Sequence, residues 1–562
     1  MKKKIIVIGG SAAGPKIAAR ARRMDEFTDI TIFQKANDLS MASCGYPYYV
    51  GGFFDDRNKL ICTPTGVIRD PGFYWNAKAI VVKNNTEVTR IVRGEKLVEF
   101  KNNLTGETGT AEYDKLVIAT GASANMPPVK GIELNGVTTL QSMQDADYLR
   151  KIRDEGKIKK AVVIGGGLIG IETLEALHLA GIDITLIELL PQLLTFLDWD
   201  MAKLIENYLK TKTNVITKNG VGEFIGEKGH ITGIKLENGD ELPCELAVVA
   251  IGVRPNVSLA KEAGIEIGPL GGIKVNEFMQ TSDPDIYAAG DCCEIRNLVT
   301  GKNVLAPYGD LANLEGRAAG ENVIIGNRAS FPGTIQTGIC KLFDYSVGIT
   351  GLSETKAKEN GFDFERAVNA SMDKPGFMDG KLLITKLIAE KSNGRILGAQ
   401  CLGPGDVSKQ IAIWATAIKG GLTVDDMING DLPYAPPFSL AIDHSIACAH
   451  ILQNKTRGFF QGISALELKE KINRGDDMFL IDTRGPDEYE ETRLGIGEHL
   501  IPLGLLRKRL NELPEDKDKE IITFCKISLR GYEAAVMLKA FGFNNVKVLE
   551  GGIAAWLFVK EK

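Results

Sequence analysis

Cys44 has a sequence environment suited to thiol redox chemistry. The stretch 40–49 reads SMASCGYPYY, with one cysteine among small and aromatic residues. If the residues after Cys44 open a helix, the cysteine lies in its first turn, where partial positive charge stabilises a thiolate. The position five residues on is Tyr49 rather than a second cysteine, so Cys44 needs a small thiol or a sulfenic acid oxygen as its redox partner. A buried structural cysteine is the alternative interpretation.

Cys525 is a second candidate, in a different setting. It follows the apolar run 521–524, and a short loop leads from it to Arg530, Gly531 and a predicted helix. A strand, a six-residue loop and a helix form an anion nest, in which successive backbone N–H groups point inward. Such a nest would hold the cysteine as a thiolate or persulfide.

Two glycine-rich loops must be positioned around Cys44. The first, GGSAAG at 9–14, lies between a predicted strand at 4–8 and a helix that runs through Arg23. Gly9 permits a tight turn, Ser11 lets the backbone approach a pyrophosphate, and Gly14 lets the helix pack on the strand. The next strand, 30–33, ends at Gln34 instead of the usual carboxylate, although an amide can also bind a ribose hydroxyl.

The second loop, GGGLIG at 165–170, follows a predicted strand at 161–164 and opens a helix. The strand after it ends at Glu188, eighteen residues past Gly170. A carboxylate there binds a ribose 2′-hydroxyl and repels a 2′-phosphate, which favours NADH over NADPH. A glycine-rich turn in some other α/β fold is the alternative.

Composition limits the class of protein. The chain has 562 residues, which predicts three or four domains at about 150 residues each. The 67 basic and 72 acidic residues give a net charge of −5, which does not suggest a nucleic-acid surface. Nine scattered cysteines indicate a reducing compartment, and therefore the cytoplasm. No apolar run is long enough to span a membrane, so no membrane partner is expected, and no metal site is predicted.

The two loops, the Thr120-Gly121 turn and the Ala289-Gly290-Asp291 run resemble the two-nucleotide flavoprotein disulfide reductase superfamily over residues 1 to about 450. The resemblance implies that the first unit binds FAD and the second the nicotinamide nucleotide. Cys44 in the pattern Ser-x-x-x-Cys-Gly-x-Pro-Tyr is similar to the coenzyme A disulfide reductase branch. Asp291 would bind a ribityl hydroxyl or a phosphate-bound water, with a turn-capping role as the alternative.

The same resemblance implies a homodimer. Tyr434, in the run YAPPFS, would reach the active site of the partner subunit, and Ser40 would contact the substrate sulfur. Asn313 and Arg317 lie one helical turn apart and would bind the phosphates of coenzyme A. Arg20 and Arg23 would join them. For each arginine a solvated basic surface is the alternative.

Residues 463–562 resemble a rhodanese domain, with Cys525 as its sulfur-carrying residue and Arg530 closing the loop. The Gly551-Gly552 pair, followed by Trp556, supports the resemblance. Lys526, Ile527 and Leu529 depart from the commoner loop pattern, which leaves the sulfur donor open. An inactive rhodanese fold is the alternative.

The expected fold is therefore α/β: two Rossmann-like dinucleotide-binding domains for FAD and NAD, an α+β dimerisation domain and a C-terminal α/β rhodanese domain. The expected segments are 1–120 and 255–328 for FAD, 121–254 for NAD, 329–453 for dimerisation, 454–462 as a linker and 463–562 for rhodanese. The expected cofactor-binding residues are Gly9, Ser11, Ala12, Ala13, Gly14, Gln34, Lys35, Thr120, Gly121, Gly290 and Asp291 for FAD, and Gly165, Gly167, Leu168, Ile169, Gly170, Glu188 and Gly252 for NAD.

The sequence thus predicts an FAD enzyme that uses NADH to reduce a coenzyme A disulfide, a coenzyme A persulfide or a polysulfide through Cys44. Sulfur transfer at Cys525 would supply this reduction. Two alternatives remain open: an NADH oxidase or peroxidase working through a cysteine sulfenic acid, and a rhodanese sulfur carrier or redox sensor. The resemblance implies a histidine in the first glycine loop for the oxidase, and this chain has Ser11-Ala12-Ala13 there.

Overall fold

The computed structural model describes residues 2–562, which form two compact units. The first unit contains the residues up to 191 and residues 213–334, and the second contains residues 192–212 and 335–562.

Two parallel five-stranded sheets are the framework of the first unit. In spatial order, one contains Ile286–Ala288, Lys115–Ile118, Lys4–Ile8, Asp29–Phe33 and Val81–Lys83, and the other contains Asn214–Thr217, Asp183–Glu188, Lys160–Ile164, Leu246–Val249 and Val137–Thr138. The central strands of both sheets are almost wholly apolar and buried, as expected for parallel sheets. The carboxyl ends of these strands carry both glycine loops.

Smaller strands and helices complete this unit. Its other strands are Thr86–Val92, Leu97–Asn102, Thr108–Glu112, Ala122–Ala124, Val221–Glu227, His230–Leu236, Glu241–Pro243, Val253–Pro255, Ile273–Lys274, Cys293–Arg296 and Asn303–Val304. Its α-helices are Ala13–Met24, Tyr46–Val50, Pro71–Lys78, Met143–Glu155, Leu168–Leu179, Ser258–Glu262 and Gly309–Ile325.

The second unit contains two sheets of different kinds. An antiparallel sheet has the strand order Gly338–Leu342, Tyr345–Gly351, Ile396–Gly403, Leu382–Glu390 and Phe364–Met372. A parallel sheet has the order Gln461–Ile463, Val546–Leu549, Glu520–Phe524, Met478–Asp482 and His499–Leu500. The helices of the unit are Trp199–Leu209, Glu354–Glu359, Val407–Lys419, Val424–Met427, His444–Thr456, Ala465–Arg474, Pro486–Glu491, Leu503–Leu506 and Leu529–Ala540.

The strands and helices expected from the sequence are present at the predicted positions, within two residues at their ends where bounds were predicted. The region expected to be a linker, 454–462, is largely regular structure. Helix His444–Thr456 covers its beginning, strand Gln461–Ile463 covers its end, and four residues lie between them. Among residues 2–562, no helix combines the length and the apolar character needed to cross a bilayer.

Candidate functional site

The first glycine loop makes the tight turn that its sequence predicts. Gly9 has φ +111°, and a Cβ added to it would lie 2.0 Å from the carbonyl oxygen of Ala119. A Cβ on Gly14 would lie 1.8 Å from the carbonyl oxygen of Gly9. No side chain fits at either position. A four-residue loop, 9–12, therefore connects strand Lys4–Ile8 to helix Ala13–Met24, a geometry that suits a pyrophosphate at a helix N-terminus.

Gln34 is buried at the end of strand Asp29–Phe33, and both ends of its side-chain amide are bonded. Its oxygen accepts a hydrogen bond from the Gly10 N–H at 3.0 Å, and its nitrogen donates to the Asp38 carbonyl at 3.2 Å. The side chain thus holds the loop in place. Lys35, the next residue, is exposed. Contacts of these two residues with a ribose remain predictions.

Two further turns lie in the same unit. The Thr120 hydroxyl donates to the Asn256 carbonyl at 2.6 Å, and Gly121 follows with φ +65°. The Gly290 N–H donates to a carboxylate oxygen of Glu315 at 2.7 Å. Burial raises the pKa of Glu315 to about 8 and also raises the pKa of Asp291. With the first glycine loop, these turns form a cradle of backbone and acceptor groups that fits a flavin dinucleotide.

The second glycine loop has the same close backbone contact as the first. A Cβ on Gly170 would lie 1.9 Å from the Gly165 carbonyl oxygen, whereas Gly167 faces open space. One carboxylate oxygen of Glu188 accepts from the Gly166 N–H at 2.7 Å, and the other accepts from the Leu190 N–H at 2.8 Å. Glu188 therefore accepts a hydrogen bond from the backbone of the second glycine loop, as Gln34 does from the backbone of the first.

The other predicted NAD residues are near this loop or near the neighbouring strand end. Leu168 and Ile169 open helix Leu168–Leu179, and Ile169 is exposed. Gly252 follows strand Leu246–Val249 and has φ +90°. The loop and Glu188 fit a nicotinamide dinucleotide.

Cys44 lies on the 3-10 turn Ser43–Gly45 and is exposed. A Cβ on Gly309 would lie 3.5 Å from its Sγ, so the thiol lies against the start of helix Gly309–Ile325. The alternative interpretation of Cys44, a buried structural cysteine, is therefore wrong.

The expectation that a helix N-terminus stabilises the Cys44 thiolate is also wrong. Partial enclosure raises the pKa of Cys44, and the carboxyl groups of Glu172, Asp291 and Asp310 raise this pKa further. The helix that follows, Tyr46–Val50, has five residues. So short a helix has only a small dipole to set against three nearby acids.

Glu172 was not identified from the sequence. It projects from helix Leu168–Leu179, and its Oε1 accepts from the Tyr48 hydroxyl at 3.4 Å. Burial raises the pKa of Glu172 to about 7. Its only sequence signal is its position two residues after Gly170, in the first turns of the helix.

Arg69 was also missed. Its Nη1 donates to the Ser40 hydroxyl at 3.1 Å and to the Ser40 carbonyl at 3.3 Å. Ser40 has φ +53°, an uncommon conformation for a serine. Burial raises the pKa of Tyr74, which also hydrogen-bonds Ser40. Arg69 and Tyr74 therefore orient a predicted catalytic residue, and no local motif announces either of them.

Of the residues predicted to bind coenzyme A, two lie on the helix that contacts Cys44. On helix Gly309–Ile325, the side chain of Asn313 donates to the Gly309 carbonyl at 2.7 Å, and Arg317 is exposed. Helix Ala13–Met24 packs closely on this helix, because a Cβ on Gly320 would lie 2.6 Å from the Ile17 carbonyl oxygen.

The other two arginines lie on helix Ala13–Met24 and differ from each other. Arg20 forms an ion pair with Glu321, with its Nε at 3.0 Å from the carboxylate. Arg23 is exposed. Arg317 and Arg23 are therefore the more available cations for a phosphate.

Tyr434 lies in the second unit, on the segment between helices Val424–Met427 and His444–Thr456. Its side chain is 56% exposed, and Phe438 and Ile442 on the same segment are 72% and 52% exposed. This exposed aromatic segment is where the sequence predicts contact with a partner subunit.

Cys525 is fully buried directly after strand Glu520–Phe524. Ser528, in the loop that follows, has φ +79°, and its hydroxyl donates to the Leu549 carbonyl at 2.8 Å. The Arg530 guanidinium donates two hydrogen bonds of 2.7 Å to Glu488. These bonds lower the pKa of Glu488 to about 2, and Glu488 together with Cys525 raises the pKa of Arg530. The predicted loop and its closing arginine are thus brought together.

The loop residues that depart from the commoner pattern differ in exposure. Lys526 and Leu529 are exposed, and Ile527 is partly buried. They therefore present one ammonium group and apolar surface beside the closed Arg530–Glu488 pair.

Family models match three successive parts of the chain. They are pyridine nucleotide-disulphide oxidoreductase at residues 3–306, its dimerisation domain at 337–446 and a rhodanese-like domain at 464–558. The structure of an NAD-dependent persulfide reductase from A. fulgidus matches with a TM-score of 0.93 and 41% identity, over 98% of this chain and 100% of that one.

Two further proteins are also similar to this chain. Reduced CoADR-RHD of Bacillus anthracis has a TM-score of 0.91 and 35% identity, over 99% of this chain and 98% of that one. The NAD(P)H coenzyme A polysulfide/persulfide reductase of Pyrococcus horikoshii is 34% identical over 81% of this chain and 99% of its own length.

Proposed function

This chain belongs to the pyridine nucleotide-disulphide oxidoreductase family, and from that premise we propose that it reduces coenzyme A persulfide, polysulfide or coenzyme A disulfide with NADH. FAD and NAD(H) are its cofactors. The observation that carries the proposal is Cys44, an exposed thiol against the helix that bears Asn313 and Arg317. All nine cysteines are free, so Cys44 has no disulfide partner within residues 2–562.

With a coenzyme A persulfide as substrate, the proposed reaction has two steps. The Cys44 sulfur attacks the sulfur attached to coenzyme A, which forms a mixed disulfide and releases hydrogen sulfide. Two electrons and a proton from NADH, with a second proton from solvent, then restore the Cys44 thiol and free coenzyme A. FAD, when bound, supplies the electron transfer between the nicotinamide and this disulfide. The overall reaction, in which RSH is coenzyme A, is RSSH + NADH + H⁺ → RSH + H₂S + NAD⁺.

The chain's own residues have separate roles in this reaction. Ser40, held by Arg69, would polarise or protonate the leaving sulfur, and Tyr434 of the partner subunit would assist it. Glu188 would hold the adenosine ribose of NADH. Arg317 and Arg23 would bind the phosphates of coenzyme A. The dimerisation domain and the exposed segment around Tyr434 support a homodimer, and the nine free cysteines support the cytoplasm as its compartment.

The rhodanese-like domain adds a sulfur-transfer step. Cys525 would take sulfane sulfur from a donor as a persulfide and pass it to coenzyme A or towards Cys44. The closed loop and the Arg530–Glu488 pair support a site that holds an anionic sulfur. If intact enzyme, Cys525→Ser and separately expressed domains gave the same sulfide yield from such a donor, Cys525 would have no part in the pathway.

The deciding experiment is mass spectrometry of Cys44 in the purified enzyme, combined with NADH turnover on coenzyme A persulfide and on oxygen. A coenzyme A adduct on Cys44 and equimolar sulfide and NAD⁺ are expected. A sulfenic acid on Cys44, with faster turnover on oxygen, would establish the oxidase instead. Absence of rapid NADH turnover on any of these substrates would indicate a sulfur carrier or sensor.

A further inference from the structure

Glu550 is a buried carboxylate at the end of a rhodanese strand, yet its bonding partners lie outside that domain. It is 4% exposed and directly follows strand Val546–Leu549. Its Oε1 accepts from Lys455 Nζ at 2.6 Å, and its Oε2 accepts from the Val368 N–H at 3.0 Å. Arg366 Nη1 lies 3.7 Å from the same Oε2. These partners belong to strand Phe364–Met372 and helix His444–Thr456.

The turn after Glu550 caps the loop of Cys525. The Ile553 N–H donates to the Cys525 carbonyl at 3.0 Å, and the Ala554 N–H donates to the Lys526 carbonyl at 2.9 Å. A Cβ on Gly552 would lie 2.3 Å from the Cys525 carbonyl oxygen, so the two backbones are in direct contact.

These two bonds set the direction of the loop's N–H groups. In a planar trans peptide the C=O and the N–H point in opposite directions. A Cys525 carbonyl held outward by Ile553 therefore turns the Lys526 N–H the other way. The Lys526 carbonyl, held by Ala554, does the same for the Ile527 N–H. An anion nest depends on this orientation.

We infer that Glu550 is a positioning residue for sulfur transfer at Cys525, and that Lys455 and Arg366 complete the rhodanese site from outside its domain. A buried carboxylate is strongly tied to the cations that neutralise it. Moving or neutralising Glu550 would shift the Gly551–Ala554 turn and, through it, the N–H groups of Lys526 and Ile527. This inference rests on the proposed sulfur transfer at Cys525.

Further ion pairs surround the contacts of Glu550. Arg366 also pairs with Glu354 at 3.1 Å and with Glu467 at 2.9 Å. Lys386, which is buried, pairs with Glu354 and Asp200, both at 2.6 Å. The simpler alternative is that all these pairs only fasten the domain. Fastening alone would change thermal stability but not the rate or pH dependence of reactions at Cys525.

Glu550→Gln in the full-length holoenzyme tests the inference, with Glu520→Gln as the matched control. Glu520 is also a poorly exposed carboxylate with two lysine partners, Lys471 at 2.8 Å and Lys547 at 2.6 Å, but it lies at the opposite end of its strand from Cys525. Lys455→Met and Lys455→Arg form a second pair, since arginine retains the charge that Glu550 needs.

The measurements are thiocyanate formation from inorganic polysulfide and cyanide across pH, and the pH profile of Cys525 alkylation, followed by peptide mass spectrometry. Glu550→Gln should lower kcat for thiocyanate by roughly tenfold to a hundredfold, because small misplacements of reacting groups have effects of that size. KM for polysulfide should change little. Both pH profiles should differ from those of the wild type, because the N–H groups of the loop change direction.

Glu520→Gln should match the wild type, and Lys455→Arg should recover most of what Lys455→Met loses. NADH-dependent reduction at Cys44 should be unchanged in all variants. Wild-type kcat and pH profiles in Glu550→Gln, or an equal loss in Glu520→Gln, would overturn the inference. If wild type and Cys525→Ser form thiocyanate equally, the proposed sulfur transfer fails, and the alkylation profile of Glu550→Gln still decides the positioning role.

Discussion

Cys44 and Cys525 are the two cysteines to which we assign chemistry in the proposed function, and their surroundings are nearly opposite. Cys44 is exposed on a short turn, and its pKa is raised by partial enclosure and, beyond that, by three acids. Cys525 is fully buried at the end of a central strand, in a loop closed by Arg530 and held from behind by the turn after Glu550. An exposed thiol is open to a large substrate and to an electron donor. A buried one in a nest can keep a charged sulfur. The difference suggests reduction at Cys44 and storage at Cys525.

The largest expected effect separates the two cysteines directly. Cys44→Ser should retain FAD but lower NADH-dependent reduction of coenzyme A persulfide by roughly a thousandfold or more, as loss of a nucleophile does. Cys525→Ser should leave this reaction at the wild-type rate. Flavin absorbance and steady-state turnover measure both. Substantial turnover in Cys44→Ser would remove the contrast, because another thiol would then be the electron acceptor.

Nucleotide choice should affect only the Cys44 reaction. Glu188→Ala should reduce the preference for NADH over NADPH by about tenfold, through loss of hydrogen bonds to the ribose and of repulsion toward a 2′-phosphate. The ratio of kcat/KM for the two nucleotides measures this. Thiocyanate formation at Cys525 should not change. A native enzyme that prefers NADPH would contradict the interpretation of Glu188.

Recognition of coenzyme A should also belong to the Cys44 side. Arg317→Ala should raise KM roughly tenfold for coenzyme A persulfide, because a charge-assisted phosphate contact is lost. KM for inorganic polysulfide should stay the same. Arg20→Ala should have a smaller effect, since Arg20 is already paired with Glu321. Equal losses on both substrates would indicate damage to the fold.

The smallest expected effect concerns protonation at Cys44. Ionised Glu172 raises the pKa of Cys44, so Glu172→Gln should lower it. The pKa of Glu172 is about 7, so alkylation of Cys44 should be a few-fold faster in the variant above that pH and unchanged well below it. Exposed Glu133→Gln is the control. An unchanged profile would mean that Glu172 does not contribute to the pKa of Cys44.

Local rules account for most of the fold and for the individual loops. The apolar runs at 4–8 and 161–164, followed by glycine loops, predict strand, turn and helix because no side chain fits where the backbones meet. The position of Glu188 at a strand end follows from the same spacing. The loop from Cys525 to Arg530 was predictable for a similar reason, since strand, loop and helix are all local features.

Contacts between distant segments were not predictable in this way. Gln34 is bonded to Gly10 and Asp38 in the structure, which its place at a strand end did not indicate. The expected linker at 454–462 is mostly helix and strand. Glu172 raises the pKa of Cys44 although 128 residues of chain separate them (172 − 44). Arg69 hydrogen-bonds Ser40 across 29 residues (69 − 40). No local pattern encodes such pairs.

The sequence by itself thus predicted the two dinucleotide loops and the strand, loop and helix around Cys525, because these depend on short-range backbone geometry. Its resemblance to known families predicted the domains and the roles of Cys44 and Cys525. Only the tertiary structure decided that the pKa of Cys44 is raised, through partial enclosure of the thiol and through acids from three separate segments. It also decided that Lys455 and Arg366 hold Glu550 behind the Cys525 loop. Electrostatic interactions act through space, so they depend on how distant segments pack and not on their order in the chain.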